Sequence, residues 1–289
     1  MGKELTERFE VARQTFAEAD AVLGEPLSKL CFEGPEDELA LTENTQPATL
    51  AVSLAAFRAL GRKPDLAAGH SLGEYSALTA AGTFAFGDAV KLVRERARRM
   101  QQAVPAGTGG MVVLRKMNLA EVEELLTKIT KGPLDLANLN SPGQYVLSGA
   151  MAAVDEAVEL AGPRRSLKLS VSVPFHSRLL ADAAAGFADV LDATPMRDPA
   201  FPIWCNVDAT PVTTAAAARD ALKRQFAGSV RWQTSVEGML RDGVRHFVEC
   251  GPKPVLVKMV VQIANEIGVT GVETKGATTA DEIVALASH

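Results

Sequence analysis

Apolar residues follow two patterns along this chain, one with spacings of three and four residues and one of short apolar or alternating runs. The first pattern predicts amphipathic helices and the second predicts strands. Helices are predicted over 5–23, 47–60, 74–81, 88–102, 119–130, 151–161, 232–240 and 255–267. Strands are predicted over 64–68, 111–114, 145–148, 166–173 and 246–249. This alternation of helices and strands indicates an α/β protein.

A tight turn is predicted between strand 64–68 and the helix that follows it, and its sequence is Gly-His-Ser-Leu-Gly. The sequence fits the G-x-S-x-G nucleophile elbow, which needs this strand–turn–helix context. The elbow requires glycine at positions 69 and 73, because a Cβ at either position is expected to make the strand and the helix collide. The elbow presents Ser71 as a nucleophile, with the N–H of Leu72 near the helix N-terminus to stabilise an oxyanion. The alternative is a chance match in a chain with 23 glycines.

A serine nucleophile needs a base, and the chain has 4 histidines. His70 is adjacent to Ser71, so its side chain should point away from that of the serine. His289 is the last residue, where chains fray, and His246 lies in a strand-like run that favours a structural role. His176 follows a predicted strand end, where catalytic groups of α/β folds collect. We therefore predict His176 as the base, against the alternative of a solvent-bonded loop histidine.

Arg96 falls near the middle of the apolar face of helix 88–102. A guanidinium that points inward needs an anion, because an unpaired buried charge is costly. Two anions fit the pattern equally: an Asp or Glu of the chain, or a substrate carboxylate held bidentately. The opposite, polar face is predicted to carry Lys91, Arg94, Glu95 and Arg98.

These features occur together with further motifs, in an order that resembles the malonyl-CoA:acyl carrier protein transacylases of fatty acid synthesis. The resemblance covers nearly the whole chain, and Arg96 lies 25 residues after Ser71, where the family keeps its malonate-binding arginine. The matching segments are Thr45-Gln46-Pro47-Ala48, the elbow from Gly69 to Ala77, Gln101 to Gly107, Asn138-Leu139-Asn140-Ser141-Pro142-Gly143-Gln144, Val171 to Ser177, Asn206-Val207-Asp208 and Val230-Arg231-Trp232.

The resemblance implies an α/β fold with two parts. A hydrolase-like large domain with a parallel sheet and the nucleophile elbow is expected over 1–104 and 175–289. An inserted ferredoxin-like α+β subdomain is expected over 105–174, with the active site in the cleft between the two parts.

The resemblance also implies ping-pong acyl transfer, in which Ser71 and His176 carry the malonyl group from malonyl-CoA to the phosphopantetheine thiol of acyl carrier protein. Arg96 would hold the malonyl carboxylate, and a backbone carbonyl near residues 250–252 would orient the histidine. The remaining substrate-binding residues are expected to be Leu72, as the oxyanion donor, and Gln46, His70, Asn138, Asn140 and Phe175, which line the cleft. For Gln46 and the two asparagines, ordinary turn and capping roles stay open.

The family begins with a buried strand and a Gly-Gln-Gly-Ser-Gln loop, followed by Met-Gly-x-x-Leu. This sequence begins at Met1-Gly2-Lys3-Glu4-Leu5, after that loop. The resemblance implies that the loop supplies the second oxyanion donor, whose loss costs ~2.7–4 kcal/mol of transition-state stabilisation. We therefore expect poor solubility or low turnover from these 289 residues without the loop.

The composition limits the classes of binding partner and the cellular compartment that are expected. The net charge of −5 argues against nucleic acid, and no apolar run reaches the ~18 residues of a membrane span. Cys31, Cys205 and Cys250 lack metal-ligand spacing and suggest reduced thiols of the cytoplasm. We expect a cytoplasmic monomer with no metal and no cofactor. The alternatives are a polyketide-synthase acyltransferase, a serine hydrolase, and a catalytically impaired relative.

Overall fold

The computed structural model describes residues 1–171 and 173–287. The helices are numbered α1 to α14 in chain order and span Lys3–Arg8, Glu10–Leu23, Leu27–Glu33, Glu36–Ala40, Thr42–Leu60, Leu72–Ala80, Phe86–Gln102, Leu119–Thr127, Met151–Ala161, Ala181–Ala193, Ala215–Gln225, Trp232–Arg241, Leu256–Glu266 and Ala280–Ala287. The strands are numbered β1 to β9 and span Ala67–Ala68, Gly109–Arg115, Leu134–Ser141, Gln144–Ala150, Ser166–Lys168, Ile203–Trp204, Pro211–Val212, His246–Cys250 and Glu273–Ala277.

The strands of the large part pair mainly in parallel. Strand β6 pairs in parallel with β1 and antiparallel with β7, and β8 pairs in parallel with β9. Helix α5 packs between α2, α6 and α7, and the alanines on its faces allow close approach. Its buried Ala48, Ala51 and Ala55 lie in the main apolar core. This core fixes α6, which begins directly after Ser71, and α7, which carries Arg96.

The small part is an antiparallel sheet with strand order β3-β4-β2-β5. Its chain order, β2-α8-β3-β4-α9-β5, is that of a ferredoxin-like unit. Helix α8 begins with a capping box, in which Asn118 Oδ1 accepts from the Glu121 N–H at 2.9 Å and Glu121 Oε2 accepts from the Asn118 N–H at 2.7 Å. Val112, Leu147 and Val154 form the core beneath the sheet. The boundaries at 105 and 174 stay a prediction.

The sequence pattern missed strand β3, and turn or capping roles had been left open for Asn138 and Asn140. Both are buried residues of β3, which pairs with β4 through a register shift between Leu136 and Asn138. The irregular pairing breaks the alternation that would have revealed a strand. The predicted strand 166–173 was too long, since β5 ends at Lys168; Ser172 of that prediction lies outside the described residues.

Two helix predictions near the N-terminus were wrong in detail. The predicted helix 5–23 is two helices, because Phe9 adopts extended dihedrals of −120° and 124°. Pro47 is not at the first position of its helix, since α5 begins at Thr42 and contains the proline. Within the described chain, none of the helices is both long enough and apolar enough to cross a bilayer.

The polar face predicted for helix 88–102 also needs one correction. Lys91 and Arg98 are exposed as predicted, but Arg94 is 6% exposed and pairs with the carboxylate of Glu25. An arginine can be buried in this way because its charge meets a partner. Arg96, on the apolar face, is 1% exposed.

Candidate active site

The turn before α6 is a strained nucleophile elbow. Ser71 has φ 52° and ψ −104°, a conformation that costs a non-glycine residue on the order of 1–3 kcal/mol. A Cβ on Gly69 would lie 2.0 Å from the carbonyl carbon of Gly73, whereas a Cβ on Gly73 would meet nothing within 4 Å. The predicted need for glycine is therefore confirmed at position 69 and wrong at position 73. Only a Cβ on Gly69 would point at the backbone of the helix that follows the turn.

The side chain of Asn206 holds this turn in place. Its Oδ1 accepts from the N–H of Ser71 at 2.7 Å, and its Nδ2 donates to the carbonyl of Gly69 at 2.7 Å. Asn206 follows β6, the parallel neighbour of the elbow strand β1. The two strand ends thus deliver the elbow and its support to the same sheet edge, as expected for parallel strands.

Ser71 and His176 form a hydrogen-bonded pair. Ser71 Oγ lies 2.7 Å from His176 Nε2. The other ring nitrogen, Nδ1, lies 3.1 Å from the carbonyl oxygens of both Gln225 and Gly228. Carbonyls only accept, so Nδ1 carries the hydrogen and Nε2 is free to accept the serine proton. The expectation of a carbonyl near 250–252 was wrong, since the chain that reaches Nδ1 is the end of α11.

Arg96 extends from α7 to the nucleophile. Its Nη2 donates to Ser71 Oγ at 3.1 Å and to Gln225 Oε1 at 3.0 Å, and its Nη1 donates to Gln46 Oε1 at 2.9 Å. The guanidinium carbon lies 5.1 Å from the ring centroid of Tyr75. All these hydrogen-bond acceptors are neutral, and no carboxylate of residues 1–171 and 173–287 forms an ion pair with Arg96. The alternative of an internal salt bridge is therefore wrong for this part of the chain.

The other predicted residues lie around this centre. Leu72 is the first residue of α6, whose leading N–H groups have no partner inside the helix. His70 Nε2 lies 2.8 Å from Asn140 Oδ1, and the His70 ring lies 6.0 Å from that of Trp232. Burial lowers the pKa of His70, so this ring is neutral.

Asn138 and Phe175 make no described hydrogen bond to the serine, histidine or arginine. Asn138 is 6% exposed and forms a backbone bridge with Val230. Phe175 packs between the main core and the apolar cluster around Met111. The structure thus brings Ser71, His176, Arg96 and Gln46 together through hydrogen bonds. Asn138 and Phe175 lie outside this group.

No role was predicted for Gln225, which contacts Ser71, His176 and Arg96. Its carbonyl accepts from His176, its Oε1 accepts from Arg96, and its Nε2 donates to the carbonyl of Ser71 at 2.9 Å and to Glu74. Gln225 is the last residue of a polar helix, α11, where no pattern distinguishes it from a solvated side chain. Asn206 could have been found, because the sequence resemblance already included it.

The segment after Gln225 also joins the two parts of the fold. The N–H of Val230 donates to the Ala137 carbonyl at 2.8 Å, and the Leu139 N–H donates to the Val230 carbonyl at 2.9 Å. Ser229 Oγ donates to the Leu136 carbonyl as well. The segment 225–230 therefore contacts both His176 and strand β3 of the small part.

The sequence and the fold are similar to those of known proteins. The sequence matches the acyl transferase domain family over residues 1–282. The malonyl CoA-acyl carrier protein transacylase of Bacillus subtilis is 44% identical over 285 residues, covering 95% of this chain and 90% of that protein.

Two solved structures extend the agreement to the fold. The malonyl CoA-acyl carrier protein transacylase of Coxiella burnetii is 35% identical with a TM-score of 0.95, covering 100% of this chain and 92% of that one. A malonyl-transacylase in complex with a type II PKS acyl carrier protein is 38% identical with a TM-score of 0.94, covering 100% and 94%. The predicted fold class is confirmed, and the chain belongs to the malonyl CoA-acyl carrier protein transacylase family of acyl transferase domains.

Proposed function

We propose that this protein transfers the malonyl group of malonyl-CoA to the phosphopantetheine thiol of acyl carrier protein through an O-malonyl ester of Ser71. The observation that carries the proposal is the buried guanidinium of Arg96, 3.1 Å from Ser71 Oγ and hydrogen-bonded only to neutral groups. The malonyl carboxylate is one methylene removed from the carbonyl that the serine attacks. A cation beside the nucleophile suits that substrate and has no partner in a neutral ester.

The first half-reaction begins with proton transfer from Ser71 Oγ to His176 Nε2. The serine oxygen attacks the thioester carbonyl, and the N–H of Leu72 is positioned to donate to the oxyanion. When the carbon–sulfur bond breaks, the imidazolium returns its proton to the sulfur of CoA. The carbonyls of Gln225 and Gly228 stabilise the Nδ1–H through both steps.

The second half-reaction repeats these steps with the carrier-protein thiol as the nucleophile. His176 accepts the thiol proton, the sulfur attacks the malonyl ester, and the serine oxygen recovers the proton on leaving. Every bond change is accounted for by Ser71, His176 and the two thiols, so we propose no cofactor and no metal. We also propose a monomer, and the free cysteines support a reducing cytoplasm.

Arg96→Ala is expected to lower malonyl transfer by roughly ten- to a hundredfold, because a charge-assisted contact contributes about 1.5–3 kcal/mol. Acetyl transfer should be unchanged or faster, since acetyl-CoA has no carboxylate to lose. Arg96→Lys should restore part of the malonyl rate, because an ammonium cannot form the bidentate fork. The measurement is the rate of Ser71 acylation by each thioester.

Arg98→Ala is the matched control for this prediction. Arg98 lies on the same helix, but its side chain is 52% exposed and pairs with Glu43 at the surface. Its loss should leave both rates unchanged. Equal slowing of malonyl and acetyl transfer in Arg96→Ala would mean that the arginine only supports the fold.

The pH dependence of kcat/KM for malonyl-CoA should lack an acid limb at the ordinary imidazole value of 6.5. Burial, with the nearby charge of Arg96, lowers the pKa of His176 to about 3, so the base stays neutral well below pH 6.5. A steady-state series from pH 5 to 7 tests this. A tenfold fall per pH unit below 6.5 would assign the base an ordinary pKa.

The same depressed pKa has a consequence for folding. Between pH 3 and 6.5 the unfolded chain binds a proton at His176 that the folded chain does not. The contribution of neutral His176 to the free energy of unfolding is therefore complete above pH 6.5, and it is lost as the pH falls towards 3.

A second candidate is a malonyl-transacylase that serves a polyketide carrier protein. It is favoured by the equally similar solved relative whose partner is a type II PKS acyl carrier protein. Transfer from malonyl-Ser71 to carrier proteins of both kinds separates the candidates, since only the second half-reaction differs.

A further inference from the structure

A second ionisable group is buried beneath the nucleophile. Glu74 lies in the first turn of α6 and is 1% exposed. Its Oε2 accepts from the N–H of Asn206 and from Gln225 Nε2, each at 2.9 Å. Its other oxygen, Oε1, has no hydrogen-bond partner among the described residues. The mechanism above does not use this carboxyl group, and a buried carboxyl with one unpartnered oxygen is unusual.

The amide of Gln225 connects Glu74 to Arg96. Its oxygen accepts from Arg96 Nη2 and its nitrogen donates to Glu74 Oε2, so the amide dipole is aligned between the two charges. The same nitrogen donates to the carbonyl of Ser71. Glu74 is thus a carboxylate whose charge acts on Arg96, and the described hydrogen-bond acceptors of that guanidinium are all neutral. An uncompensated buried cation would be costly, so this carboxylate balances Arg96 across a single amide.

Few other titratable groups of the described residues interact with Glu74. Tyr75 lies on the same helix, and Asp208 and Cys205 approach from the segment around the end of β6. Burial raises the pKa of Glu74 to about 7, while Arg96 lowers it and Asp208 raises it. The carboxyl group therefore changes its protonation near neutral pH. The fraction that is protonated depends on the strength of its electrostatic interaction with Arg96.

We propose that Glu74 is a positioning residue that balances the charge of Arg96 in the free enzyme and takes up one proton from solvent when the malonyl carboxylate binds to Arg96. The inference rests on the proposed function. Two carboxylates around one buried cation repel each other, and the weaker hydrogen-bonding one is neutralised. The proton adds to the unpartnered Oε1, and no other bond changes. Malonyl binding and Glu74 protonation are then linked reciprocally.

The test is calorimetric binding of malonyl-CoA to Ser71→Ala, which cannot be acylated, in buffers of different ionisation enthalpy from pH 5 to 9. At pH 8 a carboxyl group with a pKa of about 7 is mostly ionised, so the expected uptake there approaches one proton and malonyl-CoA binding weakens by up to about tenfold per pH unit. Acetyl-CoA should bind without this uptake. Subtracting the proton change measured with acetyl-CoA removes any contribution of the CoA moiety, which both ligands share. Adding Glu74→Gln should remove the uptake and flatten the pH dependence.

Glu43→Gln is the matched control, since it removes a carboxylate from the surface beside α7 and should leave the uptake unchanged. If Glu74→Gln does not fold, the pH profile in Ser71→Ala alone decides. Uptake that is largest above pH 7 supports Glu74, whereas uptake that is largest below pH 6 assigns the proton to His176 and overturns the inference. Malonyl-CoA binding with no more proton uptake than acetyl-CoA also overturns it, and leaves the proposed function standing. No malonyl adduct on wild-type Ser71 overturns both.

Discussion

Ser71→Ala will carry no malonyl adduct after incubation with malonyl-CoA, whereas the wild-type chain will gain the mass of one malonyl group. The alanine has no oxygen to attack the thioester, and no other hydroxyl is within hydrogen-bond reach of His176 in the described residues. Transfer to acyl carrier protein should fall on the order of 10⁴-fold or more. Intact-protein mass spectrometry measures the adduct directly.

Ser76→Ala provides the control for this loss. Ser76 is a buried serine on the same helix, and its hydroxyl has no hydrogen-bond partner in the described chain. This variant should be labelled like the wild type. Labelling of Ser71→Ala to the same extent would show that the elbow is not the acylated site.

His176→Ala should slow acylation and deacylation together, by roughly 10²–10⁴-fold each. One imidazole accepts the serine proton in the first half-reaction and the thiol proton in the second. Single-turnover measurement of Ser71 labelling, followed by transfer of the label to acyl carrier protein, reports the two rates separately.

His246→Ala distinguishes this effect from a general cost of losing a histidine. His246 is on β8, its side chain is 76% exposed, and its Nδ1 lies 3.3 Å from Glu273 Oε2. Its replacement should leave both rates unchanged. An unchanged rate in His176→Ala, or slowing of only one half-reaction, would exclude a single shared base.

The parts of the site that were predictable are those set by local sequence. The elbow depends on Gly69, two residues before the strained Ser71. Arg96 was identified because one charged residue interrupts the apolar face of its helix. Such signals survive in the sequence because helix periodicity and turn sterics act over a few residues. His176 was found by elimination among four histidines, and its location after a strand agreed.

The contacts that orient these groups were not predictable, because they join residues far apart in the chain. The carbonyls that bind His176 lie 49 and 52 residues away, and a backbone carbonyl has no sequence signature. Gln225 and Glu74 are polar residues on helices, where solvent exposure is the ordinary expectation. Strand β3 was missed for a different reason, since its register shifts disturb the alternation of its side chains.

The segment 225–230 has a consequence for building chimeras between relatives. It contacts the small part through two backbone hydrogen bonds of Val230, with Ala137 and Leu139, and through Ser229 Oγ, which donates to the Leu136 carbonyl, so β3 contributes only backbone groups to these hydrogen bonds. A small part taken from another relative will form the same hydrogen bonds with this segment if its β3 keeps the backbone register. Insertion or deletion of one residue in that strand will instead shift Val230, and with it the carbonyls that hold His176. A change in the length of β3 is therefore expected to inactivate such a hybrid, whereas substitutions that keep its length should leave the hydrogen bonds of His176 in place.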